Sequence, residues 1–180
     1  MAYVTPPTFN PDDVLEAEDL NILGDDIAYL KDVTDGTTYQ GGQVRRAANQ
    51  SIPNNTDTII TFDTEVNDTG GWYASGSKVI VPAGAIPGGS TVIAVHFDAY
   101  IKYVDNTTGR RHLHLLVNGS AETDIRIGAN GGGDPTLVPF GTVVEVEAAD
   151  EIQLEAFQTS GGSLNVTEAR LIFFRIGVVS

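Results

Sequence analysis

The chain has 180 residues, 41% of them hydrophobic, a formal net charge of −14 and no cysteine. That length suits one domain, alone or with a small appendage. The absence of cysteine excludes a disulfide framework and thiolate metal sites, and the acidic balance disfavours nucleic acid and anionic membranes as partners. The first residues lack the basic start and apolar run of a secretion signal, and no stretch has the length of a membrane span. Without such a signal, the sequons at Asn49, Asn54, Asn67, Asn106, Asn118 and Asn165 reflect composition rather than glycosylation.

Residues Met1 to Asp13 read as extended, because Pro6, Pro7 and Pro11 disfavour regular structure. The apolar Tyr3, Val4 and Phe9 suit either an arm docked on another protein or a tail folded back on its own domain. A short α-helix is predicted next, from Val14 or Ala17 to Asp32. Its stripe is Leu20, Leu23, Ile27 and Leu30, and it carries acidic residues at its positive end. A helix this short must pack on something to persist in water. The stretch Thr34 to Gly42 (TDGTTYQGG) has linker composition. The predicted organisation is therefore an anchoring arm and helix over 1–33, a linker over 34–42 and a β-domain over 43–180.

The β-domain begins with candidate strands at Val44–Ala48 and Thr58–Asp63, followed by a loop, Thr64 to Gly76, that holds the sole tryptophan, Trp72. Trp72 and Tyr73 are candidate contacts for a sugar or a protein, or else Trp72 plugs the end of a sandwich. Ser77–Pro82 is a short strand and Ala83–Gly89 a turn. The longest strand is Ser90 to Val104. Ile93, Val95, Phe97, Ala99, Ile101 and Tyr103 give it one apolar face. Its other face, with Val92, Ala94, His96, Asp98, Tyr100 and Lys102, is mixed rather than polar, as if half-buried.

Arg110–Val117 reads as a strand ending at the hairpin signal Asn118-Gly119. Thr123–Ile127 is a strand, and GANGGGD, which contains Asn130, is a loop. A further strand lies within Thr136–Ala148. Ile152, Leu154 and Ala156 alternate with Glu151, Gln153 and Glu155 in the next. Val166–Gly177 closes the domain with ARLIFFRIG, apolar on both faces. About eight to ten short strands with regularly spaced turns predict a mainly β sandwich or barrel. If the two strands with two apolar faces share a sheet, that sheet is the buried wall of an oligomer.

Few residues suggest chemistry. His112 and His114 project to one face of a strand. They suit a metal shared between subunits less well than polar packing, so no metal or cofactor is expected. Asp63, Glu65 and Asp68 do not fit an EF-hand loop. Arg45-Arg46 and Arg110-Arg111 are expected to be ion-pair partners. Nucleophile-elbow, zinc-protease and kinase patterns are absent from the sequence.

Three stretches carry a family resemblance: Ala48 to Trp72, Thr108 to Gly119 (TGRRHLHLLVNG) and Val144 to Val166, together with the closing ARLIFFRIG. They resemble the complement globular-head/tumour-necrosis-factor-like jelly roll, in the form found in bacteriophage virion proteins. The segment VLEAEDLNILGDDIAYLKD is similar to a helix near the start of phage appendage proteins. The resemblance implies an antiparallel jelly-roll sandwich forming a homotrimer, without intrinsic catalysis. On the two-faced strands, Val92, His96, Asp98, Tyr100, Phe173 and Arg175 are expected at subunit contacts. The implied role is a capsid decoration protein, head fibre or tail appendage on the virion surface, held to another virion protein through residues 1–33. The alternative is a receptor-binding module using the loops around Trp72, Tyr73 and Asn130. A sugar-active enzyme is the least supported reading.

Overall fold

The structure, a computed structural model, describes residues 39–130 and 132–179. The predicted arm and helix, with Tyr3, Val4, Phe9, Leu20, Leu23, Ile27 and Leu30, lie outside the described residues. In chain order the strands are β1 (Gly41–Arg46), β2 (Gln50–Ile52), β3 (Thr58–Ile59), β4 (Thr64–Thr69), β5 (Val79–Ile80) and β6 (Val92–Tyr103). There follow β7 (Arg110–Val117), β8 (Ser120–Ala121), β9 (Ile125–Gly128), β10 (Thr136–Glu147), β11 (Glu151–Gln158) and β12 (Leu164–Val179). A single 3-10 turn, Ala83–Ala85, separates β5 from β6.

All pairings are antiparallel and fall into two sheets. The first runs β10-β6-β12-β1-β4, with β2 beside β12; the second runs β3-β11-β7-β8, with β5 on β11 and β9 on β7. The chain crosses from β6 to β7 and later returns with β10 beside β6 and β11 beside β7. This nesting makes the sandwich a jelly roll, the expected fold class.

The alternation of β6 places its inward face as predicted. Ile93, Val95, Phe97, Ile101 and Tyr103 are fully buried and Ala99 nearly so. They meet Leu113 and Leu115 of β7 and Ile152, Leu154 and Ala156 of β11 in one core. In β12, Val166 and Ala169 are both buried although three residues apart. A bulge between Val166 and Glu168 inserts one residue and resets the alternation. A second bulge falls between Arg175 and Gly177.

Trp72 is fully buried and its ring lies 5.4 Å from that of Phe173. Asp68 holds this corner: its carboxylate accepts the N–H groups of Trp72 (3.0 Å) and Tyr73 (2.9 Å). Trp72 is thus the plug of the sandwich and not an exposed ligand contact. Asp63 is likewise occupied within the chain, accepting the N–H groups of Ala47 and Ala48. Burial raises its pKa, but those N–H groups, the Thr64 hydroxyl and Arg46 outweigh it and hold the carboxyl below its ordinary value.

Several boundaries differ from expectation. β1 starts at Gly41, inside the stretch that reads as linker. At Gly42 a Cβ would stand 2.5 Å from the Asn67 carbonyl oxygen and 3.0 Å from the Phe173 ring, so glycine is there because the sheet is crowded. The expected strand Thr58–Asp63 pairs only over Thr58–Ile59, after which the chain crosses to the first sheet. The first half of the expected loop Thr64–Gly76 is the edge strand β4, whose one apolar residue, Val66, is exposed.

Nor does Arg111 form the expected ion pair. It is fully buried, donates to the carbonyl oxygens of Thr108, Arg110 and Asn106, and lies 5.6 Å from the centre of the Tyr103 ring. Arg46 similarly donates to the carbonyls of Thr61 and Asn49. The Asn118-Gly119 hairpin forms with both residues at positive φ, 51° and 80°, as the tight primed turn requires. Ala149 also adopts φ 71°, where an L side chain is strained.

Two stability measurements follow. Trp72→Ala removes the largest buried side chain and is expected to lower unfolding free energy by about 3–5 kcal/mol in denaturant titration. Ala149→Gly relieves the left-handed backbone and is expected to raise stability by about 0.5–1 kcal/mol.

Candidate functional site

The outward face of the first sheet is set by the registers of β6. His96 lies between Phe174 on β12 and Val143 on β10, and Asp98 between Ile172 and Gly141. Tyr100 lies between Arg170 and Pro139, and Lys102 between Glu168 and Leu137. The result is a surface of mixed chemistry. Val143 and Leu137 are half-exposed, at 51% and 48%, while Ile172 and Phe174 are partly covered.

Two pairs of polar groups on this face meet within the chain, and Lys102 belongs to neither. His96 Nε2 is 3.1 Å from Asp98 Oδ2, and its ring lies 5.0 Å from that of Phe174. The Tyr100 hydroxyl donates to the Glu168 carboxylate. The Arg170 guanidinium lies 5.6 Å from the centre of the Tyr100 ring. Burial first, and then Glu168, push the Tyr100 phenol above its ordinary pKa. A shallow groove between β6, β10 and β12 has Asp98, Tyr100, Pro139 and Ile172 in its walls. A face of this kind, with apolar groups beside locally paired polar ones, has the mixed character of a protein contact surface.

Four residues expected at subunit contacts, Val92, His96, Asp98 and Tyr100, share this face. Two do not. Phe173 is fully buried in the core, and its neighbour Phe174 faces outward. With both faces of ARLIFFRIG apolar, the side facing inward depended on the two bulges. Arg175 is placed opposite Val95, and its Nη1 donates to the Ala85 carbonyl at 2.8 Å. Of the expected ligand contacts, Tyr73 is half-buried, with its hydroxyl 3.2 Å from the Phe62 carbonyl. Asn130 is exposed, and its N–H donates to the Thr136 hydroxyl.

The opposite side of the sandwich holds a second polar cluster. His112 and His114 project from β7, away from buried Leu113 and Leu115. His114 Nδ1 is 2.9 Å from Glu155 Oε1 on β11, and its Nε2 is 3.1 Å from Asp124 Oδ1. Asp124 in turn receives the Arg126 guanidinium, which pulls its pKa down to about 2. The His112 ring lies 4.9 Å from that of Phe157. Burial, and then Arg126, hold its pKa below the ordinary histidine value. The sequence reading paired the two histidines but missed Glu155 and Asp124. Glu155 was visible as part of a wet face; only the strand register brings it opposite His114.

No protein-family model matches the chain, and no curated protein matches it. Solved structures do. The globular domain of zebrafish complement 1qA protein is 12% identical, with a TM-score of 0.54 over 78% of this chain and 99% of that one. Murine APRIL, in a crystal structure at pH 8.0, is 12% identical, with a TM-score of 0.57 over 77% of this chain and 100% of that one. The chain is similar to both in fold.

Proposed function

We propose that this chain is a non-enzymatic structural module that assembles as a homotrimer through the outward face of its first sheet. The observation that carries this reading is that face: Val143, Leu137, Ile172 and Phe174 stand beside the His96–Asp98 and Tyr100–Glu168 pairs. Closing such a face against another subunit removes apolar surface from water and keeps those two pairs intact. Threefold symmetry comes from the jelly-roll resemblance seen in the sequence, and the fold likeness to the complement and APRIL domains supports it.

The same sequence resemblance supports a finer reading. The chain is a bacteriophage capsid decoration protein, head fibre or tail appendage, on the virion surface and attached to another virion protein by residues 1–33. The receptor-binding alternative is weakened by the burial of Trp72, which leaves Tyr73 and Asn130 as its surface contacts.

Light scattering of the full chain is expected to give three times the 19.1 kDa chain mass. A chain lacking residues 1–33 is expected to stay trimeric but to fail to join virus particles. Ile172→Lys, at the centre of the face, is expected to yield monomers with an unchanged far-ultraviolet circular dichroism spectrum. A trimer that survives Ile172→Lys would move the interface elsewhere, and a monomeric full-length chain would remove the trimer altogether.

A further inference from the structure

We infer that His112, His114 and Asp124 form a binding site for a divalent d-block metal ion, with zinc as the simplest occupant, on the outward face of the second sheet. One ligand atom from each residue lies within 4.8 Å of the other two. In a tetrahedral zinc site, ligand atoms are about 3.3 Å apart, given metal–ligand distances of about 2 Å. Small side-chain rotations close that difference. The strand period supplies the two histidines from β7, and the turn entering β9 supplies the carboxylate.

Hydrogen-bond accounting at His114 points the same way. Both of its ring nitrogens face carboxylates, Glu155 at 2.9 Å and Asp124 at 3.1 Å. A carboxylate only accepts; an imidazolium can give an N–H to each, whereas a neutral imidazole has one to give. In the neutral, metal-binding form, with Nδ1–H donated to Glu155, the Nε2 lone pair and the facing Asp124 oxygen are two ligand atoms that a cation would join. Glu155 then plays the part of the outer carboxylate that orients a metal-bound histidine. His112 adds an independent sign: its Nε2 is buried and has no hydrogen-bond partner, a state that calls for a ligand or another explanation.

The donor set selects the ion class. Two imidazoles and one carboxylate favour zinc and its d-block neighbours over calcium or magnesium, which take oxygen ligands. Three protein ligands leave the fourth position to water. Arg126 is the competitor. Its guanidinium donates to both Asp124 oxygens and is itself exposed, so it must yield when the metal enters.

The test is zinc titration of the full-length chain against a fluorescent chelator, alongside cobalt substitution read by visible absorption. One ion per chain is expected. His112→Ala and Asp124→Asn should each weaken binding at least tenfold, and Glu155→Gln by about 10–100-fold. Arg126→Gln should tighten binding, because it removes a like charge from the site; weaker binding in that variant would count against the assignment. Circular dichroism checks that each variant is folded. In the unmodified chain, proton spectra should show the His112 and His114 ring signals shifting with zinc while those of His96 stay fixed. The inference is overturned if the unmodified chain binds no stoichiometric zinc, or if binding survives His112→Ala and Asp124→Asn undiminished.

Discussion

The antiparallel pairing of β6 with β12 is the interaction on which the rest of this sandwich depends. It runs from Val166 opposite Tyr103 to Val179 opposite Val92 and places these strands in the middle of the first sheet. The other strands of that sheet follow from these two: β10 pairs with β6, β1 and β2 pair with β12, and β4 pairs in turn with β1. The inward side chains of β6 and β12 supply 11 of the 26 buried core residues among those described. Their outward side chains form the surface that the proposed trimer buries. One pairing thus organises the fold and carries the face of the proposed assembly.

What could be read in the sequence follows from this. Simple alternation in β6 correctly separates Ile93, Val95, Phe97, Ile101 and Tyr103 from Val92, His96, Asp98 and Tyr100. β7 carries the same kind of signal, and its expected limits match the structure. β12 was legible as a strand but not in its orientation. Two apolar faces and two bulges leave Phe173 and Phe174 equivalent until the register is known. β4 was illegible because its exposed edge has one apolar residue in TEVNDT. Trp72 was a toss-up between surface and core because its burial depends on Phe173, a residue a hundred positions away, and on the corner tied by Asp68.

The two broad faces solve the placement of charge differently. On the first sheet, His96–Asp98 and Tyr100–Glu168 pair locally, each within a few residues or across one strand pair. On the second, Glu155, His114, Asp124 and Arg126 form a chain of contacts across three strands and an adjoining turn. In that chain both ring nitrogens of His114 face carboxylates. Arg111 shows a third solution, a guanidinium solvated inside the protein by backbone carbonyls. Lysine, with a compact ammonium head, has no equivalent planar fork for that position.

The two edges of the first sheet have a consequence of their own. β10, at one edge, carries Pro139 in mid-strand, where no N–H can be offered to an incoming chain. β4, at the other, presents Glu65 and meets β1 through a bulge. Prolines, charges and bulges are the devices that make an edge a poor template for strand addition. Association through the broad face can close on itself, whereas association through edges would propagate without end. The margins of this sheet therefore guard against fibril growth and leave the proposed assembly to the broad face.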